Sequence, residues 1–202
     1  MRAGTGPRDP ARMTNTVGEH AGTIRSVTAP WGVSCLVGAL LAIGVGIVRG
    51  ISPVAPGEPG FTWVAAALAV AWLLLAAGPV GLHLSGAVGR RAGLATGVGV
   101  LGAVGVVLGN VVSWAVDRDT EAFYIAGTVL LFGWAVTSTV LALRTRAWAW
   151  PWRGVPLLIT VVMAATVPFL GFPEPTTEIA LGLMLVPFAL LRVALQRDRS
   201  PR

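Results

Sequence analysis

Six apolar stretches, each close to the length of a membrane crossing, constrain this chain more than any other feature. They fall at 30–49, 61–84, 93–116, 121–143, 154–171 and 177–196. A helix rises about 1.5 Å per residue, so about 20 apolar residues cross about 30 Å of hydrocarbon. The pattern therefore predicts an all-α, polytopic membrane protein with a bundle of six transmembrane helices over 30–197. Residues 1–29, rich in Gly, Pro, Thr and Arg, lack the apolar anchors that would order them and are expected to form a disordered tail, with a second short tail at 198–202. Composition agrees: 54% hydrophobic, 12% charged and a mean hydropathy of +0.75 lie far from a soluble domain, which is about 25% charged. The first apolar run begins after thirty residues and is long for a signal sequence, so no cleaved signal peptide is expected.

The net charge of +6 invites a nucleic-acid reading that the placement of the charges removes. All fifteen basic residues are Arg, and with the N-terminus inside, thirteen of them lie in cytoplasmic segments. Only Arg49 and Arg118 fall outside, together with Glu58, Asp117, Asp119, Glu121, Glu174 and Glu178. The cytoplasmic side then carries a net +10 and the outer side −4, the asymmetry expected of membrane orientation rather than of phosphate binding. Six spans with both termini cytoplasmic keep this alternation in every loop. Trp31, Trp148, Trp150 and Trp152 are placed at the inner boundary, and Phe61, Trp63, Trp114, Phe123, Tyr124, Phe169 and Phe172 at the outer one, as interfacial belts.

The third run contains Gly97-Val-Gly99-Val-Leu-Gly102, which fits the dinucleotide fingerprint G-x-G-x-x-G. That fingerprint works only in the turn between a strand and a helix, and here it lies inside one continuous apolar run. A packing role fits better. Gly93 with Gly97, and Gly105 with Gly109, form small-xxx-small pairs that let neighbouring helices approach, with Gly99, Gly102 and Ala103 beside them.

Chemistry inside a bilayer needs ionisable or metal-ligating groups at depth, and these are scarce. Cys35 is the single cysteine and His83 the one histidine beyond the tail, so no disulfide, zinc site or bis-histidine haem site is expected, and no cofactor. His83 reads as an interfacial hydrogen-bonding residue. One polar strip remains: Asn110, Trp114 and Asp117 share a face at i, i+4 and i+7, with Ser113 beside them. Arg49, Asn110, Ser113, Asp117 and Glu121 are thus a candidate outer vestibule for a polar head group or a cation, although helix capping and dipole effects explain much of the same acidity. Pro187 is expected to kink the sixth span by leaving the Leu183 carbonyl unpaired. Trp72 and Trp134 lie at mid-depth and call for internal acceptors, for which Thr128, Thr137, Ser138, Thr160 and Thr166 are candidates. Pro30-Trp-Gly-Val33 and Pro151-Trp-Arg-Gly-Val155 open two spans alike, but the likeness stops there and gives no transporter repeat.

The stretch from Gly81-Leu-His-Leu84 through Arg90-Arg-Ala-Gly-Leu94 into the Gly-rich third span resembles small six-span integral membrane proteins of GC-rich bacteria. The resemblance implies the same fold and a place in the bacterial cytoplasmic membrane, and carries over no catalytic residue or substrate. The function expected is that of a non-enzymatic accessory or structural component, or a binder of a lipid or small molecule. Its partners would be the bilayer and a membrane protein or second copy, with no nucleic acid. A transporter or channel, and an enzyme acting on lipids, are the alternatives.

Overall fold

The computed structural model describes the backbone of residues 10–54, 57–89, 92–116, 121–146, 148, 150–166, 186–191 and 193–194, and side-chain surroundings from residue 30 onward, except at 114 and 121. Among these residues there is helix and turn and no strand. The elements are α1 (Pro10–Ile51), α2 (Phe61–Leu75), α3 (Ala77–Leu84), α4 (Gly93–Val116), α5 (Glu121–Thr145), a 3-10 turn (Trp152–Gly154) and α6 (Val155–Thr166). Among the described residues, four spans are long and apolar enough to cross a membrane: Pro30–Ile51, Phe61–Leu84, Gly93–Ser113 and Ala122–Thr145. They coincide, within a few residues, with the first four apolar runs. Of the fifth run, the described residues hold the 3-10 turn and α6, up to Thr166, and of the sixth only 186–191 and 193–194 are described.

The ends of these helices follow local chemistry. α1 stops at Ile51 because Ser52 precedes Pro53 and is pushed out of the α region, while the Ser52 amide still reaches the Val48 carbonyl at 2.8 Å. At its other end the helical backbone continues back to Pro10, into the segment whose composition points to a tail. A helix already nucleated by an apolar span needs no second nucleus to propagate. Gly60, at φ 106°, turns the chain into α2, a conformation that glycine adopts without strain.

The second span is interrupted, a feature that its apolar run does not announce. Pro79 has no N–H for the Leu75 carbonyl and its ring crowds that carbonyl, so the helix breaks at Ala76 between α2 and α3. The Ala76 amide still reaches the Trp72 carbonyl at 3.0 Å. The break pushes the proline ring toward α4.

α4 and α5 make the closest approach in the fold. A Cβ at Gly102 would lie 2.8 Å from the Leu131 amide and 2.9 Å from the Gly127 carbonyl, and one at Gly127 would lie 2.7 Å from the Gly102 carbonyl. Gly105 faces the Gly127 Cα, and Gly109 faces Phe123 and Tyr124. The packing face therefore runs through Gly99, Gly102, Gly105 and Gly109. Gly93 and Gly97, expected on that face, turn away from it, and a Cβ at either meets nothing within 4 Å. The reason is rotational: Gly93 and Gly97 share a stripe with Leu94 and Leu101, which are 88% and 62% exposed. α1 and α2 cross at a second close point, where a Cβ on Gly38 would come within 2.7 Å of the Ala71 carbonyl.

The core sits where these crossings converge. A Cβ at Gly99 would strike both the Trp134 ring and the Pro79 ring, at 2.6 and 2.9 Å. Trp134 stacks on Phe188, with ring centroids 6.2 Å apart and planes 25° apart. Phe188 in turn accepts a hydrogen bond at its carbonyl from the Cys35 thiol at 3.3 Å. Gly78 leaves room for Cys35, Leu191 and Phe188. One layer thus joins α1, α3, α4, α5 and the 186–191 helix. Pro187 is buried in that last helix, while Leu183, whose carbonyl it is expected to release, lies outside the described residues.

Adding a methyl at a backbone-to-backbone crossing forces helices apart, at about 1–3 kcal/mol by the usual cost of overpacking. Gly102→Ala and Gly127→Ala are each expected to lower stability by that amount, whereas Gly97→Ala stays within about 0.5 kcal/mol of the parent. Thermal unfolding in a single detergent measures all three, and equal losses would show that the α4–α5 approach has no special weight.

Candidate functional site

Of the expected vestibule, the structure describes the side-chain surroundings of Arg49, Asn110 and Ser113. Asn110 and Ser113 are one turn apart on α4 and both are only 1% exposed, so they face the helix packing. The Asn110 Nδ2 donates to the Val106 carbonyl of its own helix at 2.9 Å. Arg49 is half-buried in the last turn of α1, and α1 packs mainly on α2 and α3 while α4 packs on α2, α3 and α5. Asp117 lies outside the described residues, and of Glu121 only its place as the first residue of α5 is described.

Three hydroxyls in α5 and α6 bond in the same way. Thr137 donates to the Gly133 carbonyl at 2.8 Å, Thr160 to the Pro156 carbonyl at 3.0 Å and Thr166 to the Met163 carbonyl at 2.9 Å. These bonds return each hydroxyl to its own helix. Between helices, Thr139 on α5 and Thr160 on α6 are 3.0 Å apart, oxygen to oxygen. Sequence reasoning misses Thr139, because a threonine facing a neighbouring helix has the same sequence signature as one facing lipid. The Ser138 hydroxyl is buried and has no partner among the described residues. Among them, too, no three His, Cys, Asp or Glu side chains gather into a cluster that could hold a metal ion.

The ends of the spans around the basic loops are more ordered than an interfacial belt requires. Gly86 and Gly89, with φ of 77° and 79°, turn the chain after α3, and Ala87, Val88 and Ala92 are buried. The Thr145 hydroxyl at the end of α5 donates to the Ala87 carbonyl at 2.7 Å and ties the two loops together. Trp148, expected at the headgroup level, is instead a core residue at 3% exposure. Its carbonyl accepts two hydrogen bonds from Arg153, at 3.0 and 2.9 Å, so the Arg153 guanidinium serves the loop. Trp150, at 72% exposure, retains the outward position of an interfacial anchor. His83 is half-buried at the end of α3, with its Nδ1 enclosed and without a hydrogen-bond partner among the described residues.

One open surface groove in the spans is apolar. It is a groove of about 400 Å³ between α1 and α2, lined by Leu40, Leu41, Gly44, Val45 and Val48 on one side and Trp63, Val64 and Ala67 on the other. Its walls offer contact without hydrogen bonding. The apolar runs that place these residues in spans are plain in the sequence, but the opening depends on how two helices diverge, which periodicity does not carry.

No family of known proteins, no curated protein and no solved structure matches the chain with significant similarity.

Because the Asn110 amide is bonded within its own helix, Asn110→Leu is expected to change stability by less than about 1 kcal/mol. Trp134→Ala removes the ring that fills the layer between Gly99 and Phe188 and should cost about 3 kcal/mol or more. Unfolding of the two variants side by side decides the matter; a larger loss for Asn110→Leu would restore a polar role to the outer part of α4.

Proposed function

We propose that this chain is a six-span integral protein of the bacterial cytoplasmic membrane with both termini cytoplasmic. In this reading it acts without catalysis, as an accessory membrane component that binds an apolar or lipid ligand. The observation that carries the reading is the contrast between its polar groups and its cavity. The Asn110 amide and the Thr160 and Thr166 hydroxyls are directed to carbonyls of their own helices, whereas the groove between α1 and α2 is walled by apolar side chains. A carrier of polar solutes needs a continuous line of polar groups reaching mid-depth, and an oriented acid/base pair is the minimum for hydrolysis at a lipid head group. An apolar groove open toward the bilayer matches a hydrocarbon ligand instead. The distribution of Arg, thirteen on one side and two on the other under six crossings, supports the orientation.

Single cysteines at Thr5, Glu58 and Ser200 in a Cys35→Ala background test the arrangement. In intact cells a membrane-impermeant thiol reagent is expected to label Glu58→Cys and to spare Thr5→Cys and Ser200→Cys until the membrane is opened. Labelling of one terminus but not the other would mean an odd number of crossings and overturn the six-span reading. Native mass spectrometry of the gently extracted protein tests the ligand class: co-purifying lipid is expected, and a stoichiometric polar solute would favour the transporter.

A further inference from the structure

The turn after α5 decides which basic side chains at this end of the molecule are available to a ligand, and the consequence holds where α5 crosses a membrane, as the proposed function has it. Arg144, Arg146 and Arg153 stand close in the sequence, with Trp148, Trp150 and Trp152 among them. The fold divides these residues. The Arg153 guanidinium is taken up by the Trp148 carbonyl, to which it donates at 3.0 and 2.9 Å, and Trp148 itself is in the core. Arg144 and Arg146 are exposed, and among the described residues neither guanidinium has a hydrogen bond or an ion pair. Thr145 between them is fixed: its hydroxyl donates to the Ala87 carbonyl at 2.7 Å, and its methyl group lies against the turn at Gly89. The two cations are therefore carried on backbone that is held in place.

Their depth follows from the span. The apolar span Ala122–Thr145 ends at the residue between them, so Arg144 is in the last turn of α5 and Arg146 is the first residue beyond it. Both then stand at the level of the phosphates of a leaflet. Trp150, 72% exposed with its ring over Gly154, is the indole expected at that level. Residues 85–92 and 144–154 contain no Asp or Glu, so no carboxylate of these turns neutralises the two charges. Arg144 has a second explanation, since a cation in the last turn of a helix is favourable against the macrodipole. For Arg146 the backbone adds a cost. Its φ of 50° is the left-handed conformation in which helices end and which glycine adopts most readily, and a Cβ there is disfavoured. A cation kept against the backbone's preference, exposed and unpaired, is suited to a partner outside the chain.

We propose that the turn after α5 is a docking site for anionic phospholipid, with Arg144 and Arg146 holding the head group beside the interfacial Trp150. Zwitterionic lipid offers the same phosphate with an ammonium group next to it, which two guanidinium groups disfavour.

The test uses the full chain in nanodiscs of phosphatidylcholine containing a minority of phosphatidylglycerol, with the lipids retained on gentle release counted by native mass spectrometry. The parent protein is expected to retain phosphatidylglycerol above its share of the nanodisc, and about 1 M salt, with a screening length of about 3 Å, should remove the excess. Arg144→Gln and Arg146→Gln should each lower the excess about fivefold, the effect of one basic residue at an anionic surface, and the double variant should leave none. Arg199→Gln removes the same charge near the C-terminal end of the chain and should behave as the parent. Arg146→Gly gives a separate readout: retention falls as in Arg146→Gln, while the unfolding temperature holds or rises, because glycine takes this φ without strain. Parent-like retention in the double variant, an equal loss in Arg199→Gln, or an acidic protein held through Arg144 and Arg146 in place of lipid would overturn the site. A lower unfolding temperature in Arg146→Gly would assign Arg146 to the fold and overturn it as well. Both leaflets of a nanodisc have one composition, so the lipid ratio does not depend on which side of the membrane the turn occupies. Cysteine labelling of one terminus alone would therefore overturn the six-span reading and leave the lipid site standing.

Discussion

The structure depends on helices meeting without side chains between them. Inside a bilayer, lipid tails are as apolar as leucine, and hydrophobic burial gives helices little reason to associate; close van der Waals contact has to supply it. Gly102 and Gly127 provide that contact, each occupying the place where a Cβ would run into the other's backbone. The approach they permit brings Trp134 against Gly99 and the Pro79 ring, and Trp134 then offers its face to Phe188. If that crossing were wider, the indole would have a void on one side and the layer that links α1, α3, α4, α5 and the 186–191 helix would lose its filling.

Pro79 has two consequences in this arrangement. It breaks the second span at Ala76, with loss of a backbone hydrogen bond in a region where water cannot replace it. It also supplies a rigid apolar ring to the side where glycine has left room. The bend and the filled space arise from the same residue, which is why the interruption sits within the core. Gly78 beside it leaves further room for Cys35, whose thiol reaches the Phe188 carbonyl.

Polar groups in the spans obey the same demand from the other direction. A hydroxyl or amide in hydrocarbon must find a partner, and the nearest is the carbonyl three or four residues back on its own helix. Asn110, Thr137, Thr160 and Thr166 all take it. Residues bonded in this way add little to a polar pathway. An open groove lies between α1 and α2, where a Cβ at Gly44 meets open space and the walls are hydrocarbon.

Four spanning helices were legible from the length and apolarity of their runs, because the thickness of hydrocarbon sets both quantities and no neighbour is needed to satisfy them. The special role of small residues in the third run was legible as well, but its register was not: GxxxG spacing is present at Gly93–Gly97 and at Gly105–Gly109, and only the rotation of α4 against α5 turns the first pair outward and the second inward. Asn110 and Ser113 share a face in any helix, yet whether that face meets a cavity or a neighbour is decided by packing. The burial of Trp148, the Thr139–Thr160 contact and the opening beyond Gly38 belong to the same class. Sequence alone determined that this chain forms helices long and apolar enough to cross a membrane, since length and apolarity are properties of each run by itself. Tertiary structure decided which faces touch and where they part, since those depend on side chains from distant runs sharing one small volume.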